Sequence, residues 1–418
     1  MSFSNFASRL SNEAGIISLM EDLGAAMSGE ETVYMLGGGN PSHIPELEQY
    51  FRHEMLAIAS DVKRFGKMVG DYDGPQGNQY FIEVLAEYFS EQFGWDISAE
   101  NIAITNGSQA SFGLLFNTLA GEFKDNAFKQ VLLPLTPEYI GYSDVGLSDK
   151  NLFTAAKPII EHIDDTFFKY RVDFEQAQLN DDIGAMCVSR PTNPTGNVIT
   201  DNEIKQLAKL SKASQTPFII DSAYGLPFPN MVFTDAKPIW DEHIVLCFSL
   251  SKLGLPGVRT GIIVAAPDLI ERVRNANAIF SLAPGSVGPA LVAEAIRSRA
   301  LNDLCTQHLK PYYLKKRDAA IAHIKTQMHD VPVKIHQPEG AIFLWLWFDG
   351  LPISVQTLYE RLKARKVLII AGHHFFPGLE EDWQHKHECI RMTYSSDAES
   401  VEQGIAIIAE EVRLAFGA

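Results

Sequence analysis

The chain has 418 residues, 46% hydrophobic and 21% charged, with 30 Gly and 21 Pro. That composition is ordinary for a globular protein and excludes collagen-like repeats, long coiled coils and extended disorder. Lys and Arg number 35 against 52 Asp and Glu, a net charge of −17 that repels phosphate backbones and anionic lipid, so neither nucleic acid nor a membrane surface is expected as a partner.

At the N-terminus, Met1 to Met20 lack the basic start and apolar core of a signal peptide. No apolar run approaches the ~18–20 residues of a membrane helix, and the four cysteines lie far apart with no CxxC pair. A cytoplasmic location with reduced thiols is the resulting expectation. Gly37-Gly38-Gly39-Asn40 looks phosphate-binding in isolation, but lacks the GK[ST] ending of a P-loop. Ile102 to Thr105 reads as a strand, and Gly107-Ser108-Gln109 behind it opens a helix whose N-terminal amides can grip an anion. Further short apolar runs follow: Val131 to Leu135, Ala185 to Val188, Phe218 to Ile220, Ile244 to Phe248 and Gly261 to Ala265. Runs this short suit strands covered on both faces. Between them Asp201 to Ala213 carries Ile204, Leu207, Ala208 and Ser211 at helical spacing. This alternation predicts an α/β domain with a mainly parallel sheet over residues 46–290. From Pro289 to Gln327 the pattern is helical; strand-like Ala341 to Phe348 and Val367 to Ile370 and a closing helix, Ser400 to Phe416, follow. Residues 291–418 are read as a smaller α+β domain, joined by an N-terminal segment, 1–45.

Ligands of open α/β sheets bind at the carboxyl ends of the strands. Three strand-end segments concentrate polar chemistry there: Ser189 to Gly196 (SRPTNPTG), Asp221 to Tyr224 (DSAY) and Ser249 to Arg259 (SLSKLGLPGVR). In this order, with YDGPQG at 72–77, PEYIGY at 137–142 and PEGAIFLWLWF at 338–348, they resemble the fold type I pyridoxal-phosphate enzymes, specifically the class I and II aminotransferases. The likeness runs from Gly37 to Arg391 and implies a three-layer α/β large domain, a smaller domain, and pyridoxal 5'-phosphate as cofactor.

The resemblance also implies residue roles. Lys252 is the lysine that bonds the cofactor aldehyde and then carries protons, which requires a lowered pKa. Asp221 pairs with the pyridine nitrogen; a buried Asp needs such a cation. Tyr224 and Asn193 match the groups that hydrogen-bond the cofactor's phenolic oxygen, although Asn-Pro is also a common turn start. Ser108, Gln109, Ser249, Ser251 and Arg259 match the phosphate site, with Arg259 seven residues after Lys252 where many members have eight. Tyr72 matches a tyrosine that reaches the phosphate from the partner subunit, which implies a homodimer with a shared active site. Tyr139 matches the aromatic residue stacked on the ring, with Tyr142 as the nearby alternative. Arg391 matches the clamp for the substrate α-carboxylate, and Gly38 and Gly39 the backbone that lies over the substrate, with Asn193 beside it.

No metal is expected: His373, His374, His385 and His387 near Cys389 fit no standard zinc spacing and read as a loop near the substrate mouth. Aspartate-type members carry a second arginine for a side-chain carboxylate. Asn277 to Phe280, the stretch that would hold it, contains none. The resemblance therefore implies transfer between L-valine, or another small aliphatic amino acid, and pyruvate, giving 3-methyl-2-oxobutanoate and L-alanine by a ping-pong route. A different aliphatic or alanine aminotransferase and a C–S β-lyase are the alternatives on the same cofactor frame. A regulator built on the same scaffold normally adds a basic DNA-binding module, which neither terminus suggests.

Overall fold

The short apolar runs assemble into one sheet of eight strands. In spatial order these are Ile102–Thr105, Gly261–Val264, Ile244–Ser249, Phe218–Asp221, Ile183–Ser189, Phe128–Leu133 and Gly121–Glu122, with Phe153–Ala155 also paired to Phe128–Leu133. The computed structural model that shows this describes residues 33–417, together with Ala7 and Gly24. The leader reading of Met1 to Met20, and residues 1–32 of the proposed N-terminal segment apart from those two, lie outside the described residues. The central pairs are parallel, whereas Gly261–Val264 runs antiparallel to both its neighbours.

Four of these strands are buried at every position, because helices cover both faces of the sheet. Strand alternation divides the side chains between two cores. Ile219, Val245, Cys247 and Ile263 face one side, while Phe218, Ile220, Leu246 and Phe248 face the other. The result is a three-layer α/β unit. Capping is local: Asp201–Ser214 begins with a Thr200–Glu203 capping box, and Gly107 sits at φ 92° at the start of Ser108–Leu119.

A second sheet has six strands in the order Ile370–Ala371, Cys389–Thr393, Phe343–Phe348, Val333–His336, Phe167–Arg171 and Ile159–His162. Its last two strands come from inside the 46–290 span, so sheet pairing cuts across the boundary drawn at 290. Phe167-Phe168-Lys169-Tyr170-Arg171 alternates apolar and charged residues too weakly to stand out by itself. What recruits it is parallel pairing with Val333–His336 and a buried ion pair between Lys169 and Glu339. Tyr34–Met35 pairs with Val367–Leu368, and the Thr393 amide donates to Leu36, so residues 34–36 run along this C-terminal unit.

The helical region 289–327 is not continuous. It breaks after Arg297, Arg299 takes a left-handed φ of 65°, and Leu304–Leu309 is a π-helical turn before Lys310–Gln327. Pro311 has no N–H for the Gln307 carbonyl, a local reason for the widened turn. All four cysteines are buried and free. Among the described residues no helix is long and apolar enough to cross a membrane, and no group of His, Cys, Asp and Glu is arranged to hold a metal ion.

Candidate active site

Parallel pairing sets the site. Ser189 and Asp221 are direct partners at the carboxyl ends of adjacent strands, and Ser249 ends the next one. The polar residues that follow each strand therefore meet along one rim of the sheet.

Lys252 lies in the short helical turn Leu250–Leu253, held where the Ser249 hydroxyl accepts from the Ser251 amide. Its Nζ donates to the Gly39 carbonyl at 2.6 Å and stands 5.2 Å from the centre of the Tyr224 ring. Burial, with the cations of Arg391 and Arg259 acting in the same direction, brings the Lys252 amine down to about 8; Asp221 opposes the shift.

Asp221 is buried. It accepts from the Tyr142 hydroxyl at 2.7 Å and from the Ala223 amide at 2.9 Å. Burial pushes its carboxyl up to about 6, against the pull of those two bonds and of Lys252. Tyr224, packed edge-on against Phe343, keeps its phenol proton because burial raises its pKa well above the usual value.

Arg391 enters from the second sheet, on Cys389–Thr393. It donates to Asn193 Oδ1 at 2.7 Å and to the Gly37 carbonyl at 2.6 Å. Its guanidinium lies 4.1 Å from the Phe343 ring centre and 5.2 Å from that of Phe375. Its Nε is buried without a hydrogen-bond partner, and burial lowers the group to about 10. A buried guanidinium with a free N–H and no carboxylate contact is built to receive an anion.

Gly107 and Arg259 build a second anion cradle. Gly107 heads the helix Ser108–Leu119, and a methyl group added to it would collide with the Arg259 guanidinium. Helix amides, the Ser108 turn and Arg259 thus converge closely enough that no side chain fits between them.

One lysine with a lowered pKa, the carboxyl of Asp221 and two separate anion cradles now meet in one site. A family profile for aminotransferases of class I and II matches residues 53–408 of the chain. The chain belongs to that family. A valine–pyruvate aminotransferase from Escherichia coli K12 is 48% identical over 419 residues, spanning 100% of this chain and 99% of the relative. The crystal structure of a valine–pyruvate aminotransferase from Salmonella typhimurium LT2 superposes with a TM-score of 0.89 at 46% identity, covering 96% of this chain and 100% of that one. An aspartate aminotransferase from Thermus thermophilus shares the fold, with a TM-score of 0.79 at 17% identity and coverage of 98% and 100%. The expected fold type I architecture is therefore present. The family works with pyridoxal phosphate, and the donor set fits that group: an anion cradle for the phosphate, a buried acid awaiting a cation, and an amine for the aldehyde.

Of the residues singled out in the aminotransferase sequence, Lys252, Asp221, Tyr224, Asn193, Arg391 and Gly39 come together through the contacts above. Gly38 lies in the same stretch, between the Gly37 and Gly39 carbonyls that Arg391 and Lys252 hold. Ser249 and Ser251 precede Lys252 in the same turn. The Tyr139 ring covers Gly141 and meets Tyr142 edge-on at 5.3 Å. Tyr142 serves Asp221 instead, through its hydroxyl. The Gln109 amide is spent on the Gly141 carbonyl at 2.7 Å, supporting the Tyr139 turn. Tyr72 stands apart: 86% exposed, it projects into solvent in a single protomer.

Sequence reasoning missed three contributors. Phe343 and Phe375 wall Arg391, and Glu138 is fully buried beside Tyr139. An acid within the apolar strand-end run Leu133 to Ile140 was the available signal for Glu138. In the histidine-rich segment, His373 stacks near His374 and His387, while His385 is buried against Trp383. Phe375, next to these, touches the site.

Proposed function

We propose that this aminotransferase is a pyridoxal-phosphate enzyme exchanging the amino group of L-valine, L-alanine or 2-aminobutyrate with pyruvate or the matching 2-oxo acid, by a ping-pong route. With valine and pyruvate the products are 3-methyl-2-oxobutanoate and L-alanine. The observation that carries the reading is full-length similarity to a valine–pyruvate aminotransferase. The charges at the site agree with it. Arg391 offers one clamp for an α-carboxylate, its neighbours Phe343 and Phe375 are apolar, and Asn277 to Phe280 contains no arginine.

Pyridoxal phosphate, when bound, supplies an aldehyde for the amino group and a ring that draws electrons from the substrate α-carbon. Gly107, Ser108, Gln109 through its backbone amide, Ser249, Ser251 and Arg259 are the residues assigned to its phosphate. Tyr139 is assigned to its ring face, Asn193 and Tyr224 to its phenolic oxygen, and Asp221 to its ring nitrogen. Asp221, at about 6 with Lys252 already pulling it down, is more fully ionised at neutral pH once a ring cation is beside it. Lys252 Nζ, at about 8, is a base able to take the α-proton and an acid able to return it near neutral pH. Arg391 and Asn193 orient the substrate through its carboxylate, with Gly39 alongside, and the aromatic wall excludes water from the clamp.

Exposed Val62, Phe65 and Val69, together with Tyr72, Ile279, Phe280 and Leu282, support a homodimer in which Tyr72 completes the partner's phosphate site. Four free cysteines agree with a cytoplasmic location.

Steady-state comparison of valine, alanine and glutamate as donors to pyruvate tests the reading. Glutamate is expected to be poorer by at least ~30–100-fold in kcat/KM, the cost of an unpaired side-chain carboxylate. Glutamate equal to valine would overturn it.

A further inference from the structure

Glu138 has no part in the roles assigned above, yet it is among the most deeply placed polar groups in the molecule, with 0% of its surface exposed. It follows Pro137 in the loop after the strand Phe128–Leu133, next to Tyr139. Three polar groups converge on its carboxyl. The Ser189 amide donates to Oε1 at 2.7 Å, the Ser189 hydroxyl meets Oε2 at 2.5 Å, and the Tyr139 amide donates to Oε2 at 3.2 Å. In the other direction, the Glu138 amide donates to the Phe375 carbonyl at 2.8 Å. Ser189 is the strand partner of Asp221, and Phe375 is part of the wall around Arg391. One residue thus ties together the strand end that carries Asp221, the backbone of the ring-covering Tyr139, and the wall of the substrate arginine.

We propose that Glu138 is the positioning residue of this site, setting the Tyr139 ring against Asp221 and joining both to the Arg391 wall before cofactor or substrate arrives. The proposal rests on the reading of the site as a pyridoxal-phosphate site. Its physical basis is the cost of orphaning buried groups: two backbone amides have Glu138 as their acceptor and the Ser189 hydroxyl shares a hydrogen bond with it, and each must find another partner if it is removed.

The electrostatics agree. Burial pushes the Glu138 carboxyl up to about 8, the Ser189 bonds oppose this, and the charge of Asp221 adds to it. The other titratable groups that feel Glu138 are Tyr142 and Cys187, neither of which supplies a positive charge. At neutral pH Glu138 therefore mostly keeps its proton, which it can donate only to the Ser189 hydroxyl, since the amides cannot accept. Asp221, shifted less, ionises first. Two adjacent carboxyls pushed to different pKa values divide the work: Asp221 supplies charge and Glu138 supplies geometry.

The test titrates apoenzyme with pyridoxal phosphate, following its visible absorbance and the quenching of protein fluorescence, for the wild type and for Glu138→Ala, Glu138→Gln and Ser189→Ala. Loss of all three side-chain bonds in Glu138→Ala should weaken cofactor binding about tenfold or more and displace the visible band. Glu138→Gln keeps an acceptor for the Ser189 amide and a donor for its hydroxyl, giving up only the longer bond from the Tyr139 amide, so it should recover most of the affinity. Ser189→Ala should shift the band in the same direction as Glu138→Ala, and a Glu138→Gln, Ser189→Ala double variant should show non-additive losses. If Glu138→Ala does not fold, Ser189→Ala and the double variant still decide. Affinity and spectrum within twofold of wild type in folded Ser189→Ala, and in Glu138→Ala where it folds, with additive effects in the double variant, would overturn the proposal. Failure of the wild type itself to take up the cofactor would instead sink the reading of the site.

Discussion

Replacing Arg391 by Lys separates charge from shape at the substrate clamp. In the present arrangement the guanidinium is held by Asn193 Oδ1 at 2.7 Å and the Gly37 carbonyl at 2.6 Å, and lies 4.1 Å from the Phe343 ring centre with Nε free. A lysine keeps the positive charge but can reach only part of this set and cannot grip a carboxylate with two parallel N–H groups. One charge-assisted hydrogen bond to substrate is worth about 1.5–3 kcal/mol, and leaving Asn193 or Gly37 unpaired adds about 1 kcal/mol or more. Together these give about 2.5–4 kcal/mol, or roughly two to three decades in kcat/KM. The assay is steady-state transamination with valine and with alanine at saturating pyruvate, alongside cofactor content measured by absorbance. Both donors should fall by the same factor, because both present the same carboxylate, while bound cofactor stays unchanged. A fall of less than about fivefold, or one confined to valine, would refute the assignment of Arg391 to the α-carboxylate.

Four further outcomes follow from the same geometry. Covalent attachment of pyridoxal phosphate to apoenzyme should quicken as pH rises and level off above about 8, since the Lys252 amine reacts only when unprotonated; a midpoint near the ordinary 10.5 would contradict the burial argument. Asp221 and Glu138 retain protons in the folded apoenzyme that the unfolded chain loses near 3.8 and 4.5. Their stabilising contribution is therefore fully present at low pH and lost as pH rises through about 6 and about 8, and denaturant melts should show Glu138→Gln flattening the upper part of that decline. Gly107→Ala places a methyl group against Arg259 at a backbone φ of 92° and should lower cofactor affinity at least about tenfold while the melting temperature moves by only a few degrees; unchanged affinity by equilibrium dialysis would remove Gly107 from the phosphate cradle. Mixing an inactive Tyr72 variant with Lys252→Ala should restore part of the activity in heterodimers, and no recovery in verified heterodimers would argue against a shared site.

Local chemistry was enough to read the buried parallel strands, the strand-end segments and the family resemblance. Runs such as FII before Asp221 and IVLCF before Ser249 admit few structures except strands covered on both faces, and the polar residues behind them are then forced to one rim. Lys252, Asp221 and Asn193 were legible for that reason, together with their motif spacing, and Arg391 from the family resemblance. Contacts between segments distant in the chain were not legible. Nothing in Phe167 to Arg171 announces that it pairs with Val333–His336, because that pairing depends on a strand about 165 residues away. The role of Tyr142 depended on the side-chain direction of Asp221, 79 positions on, which turned a candidate stacking ring into a hydrogen-bond donor. Glu138 was least legible of all. A buried acid looks like an error in an apolar run until Ser189, 51 residues later, brings an amide and a hydroxyl to it. Sequence alone determined which residues could do the chemistry; tertiary packing decided which donors, acceptors and charges they face, because hydrogen-bond partners and desolvation arise only when distant segments exclude water together.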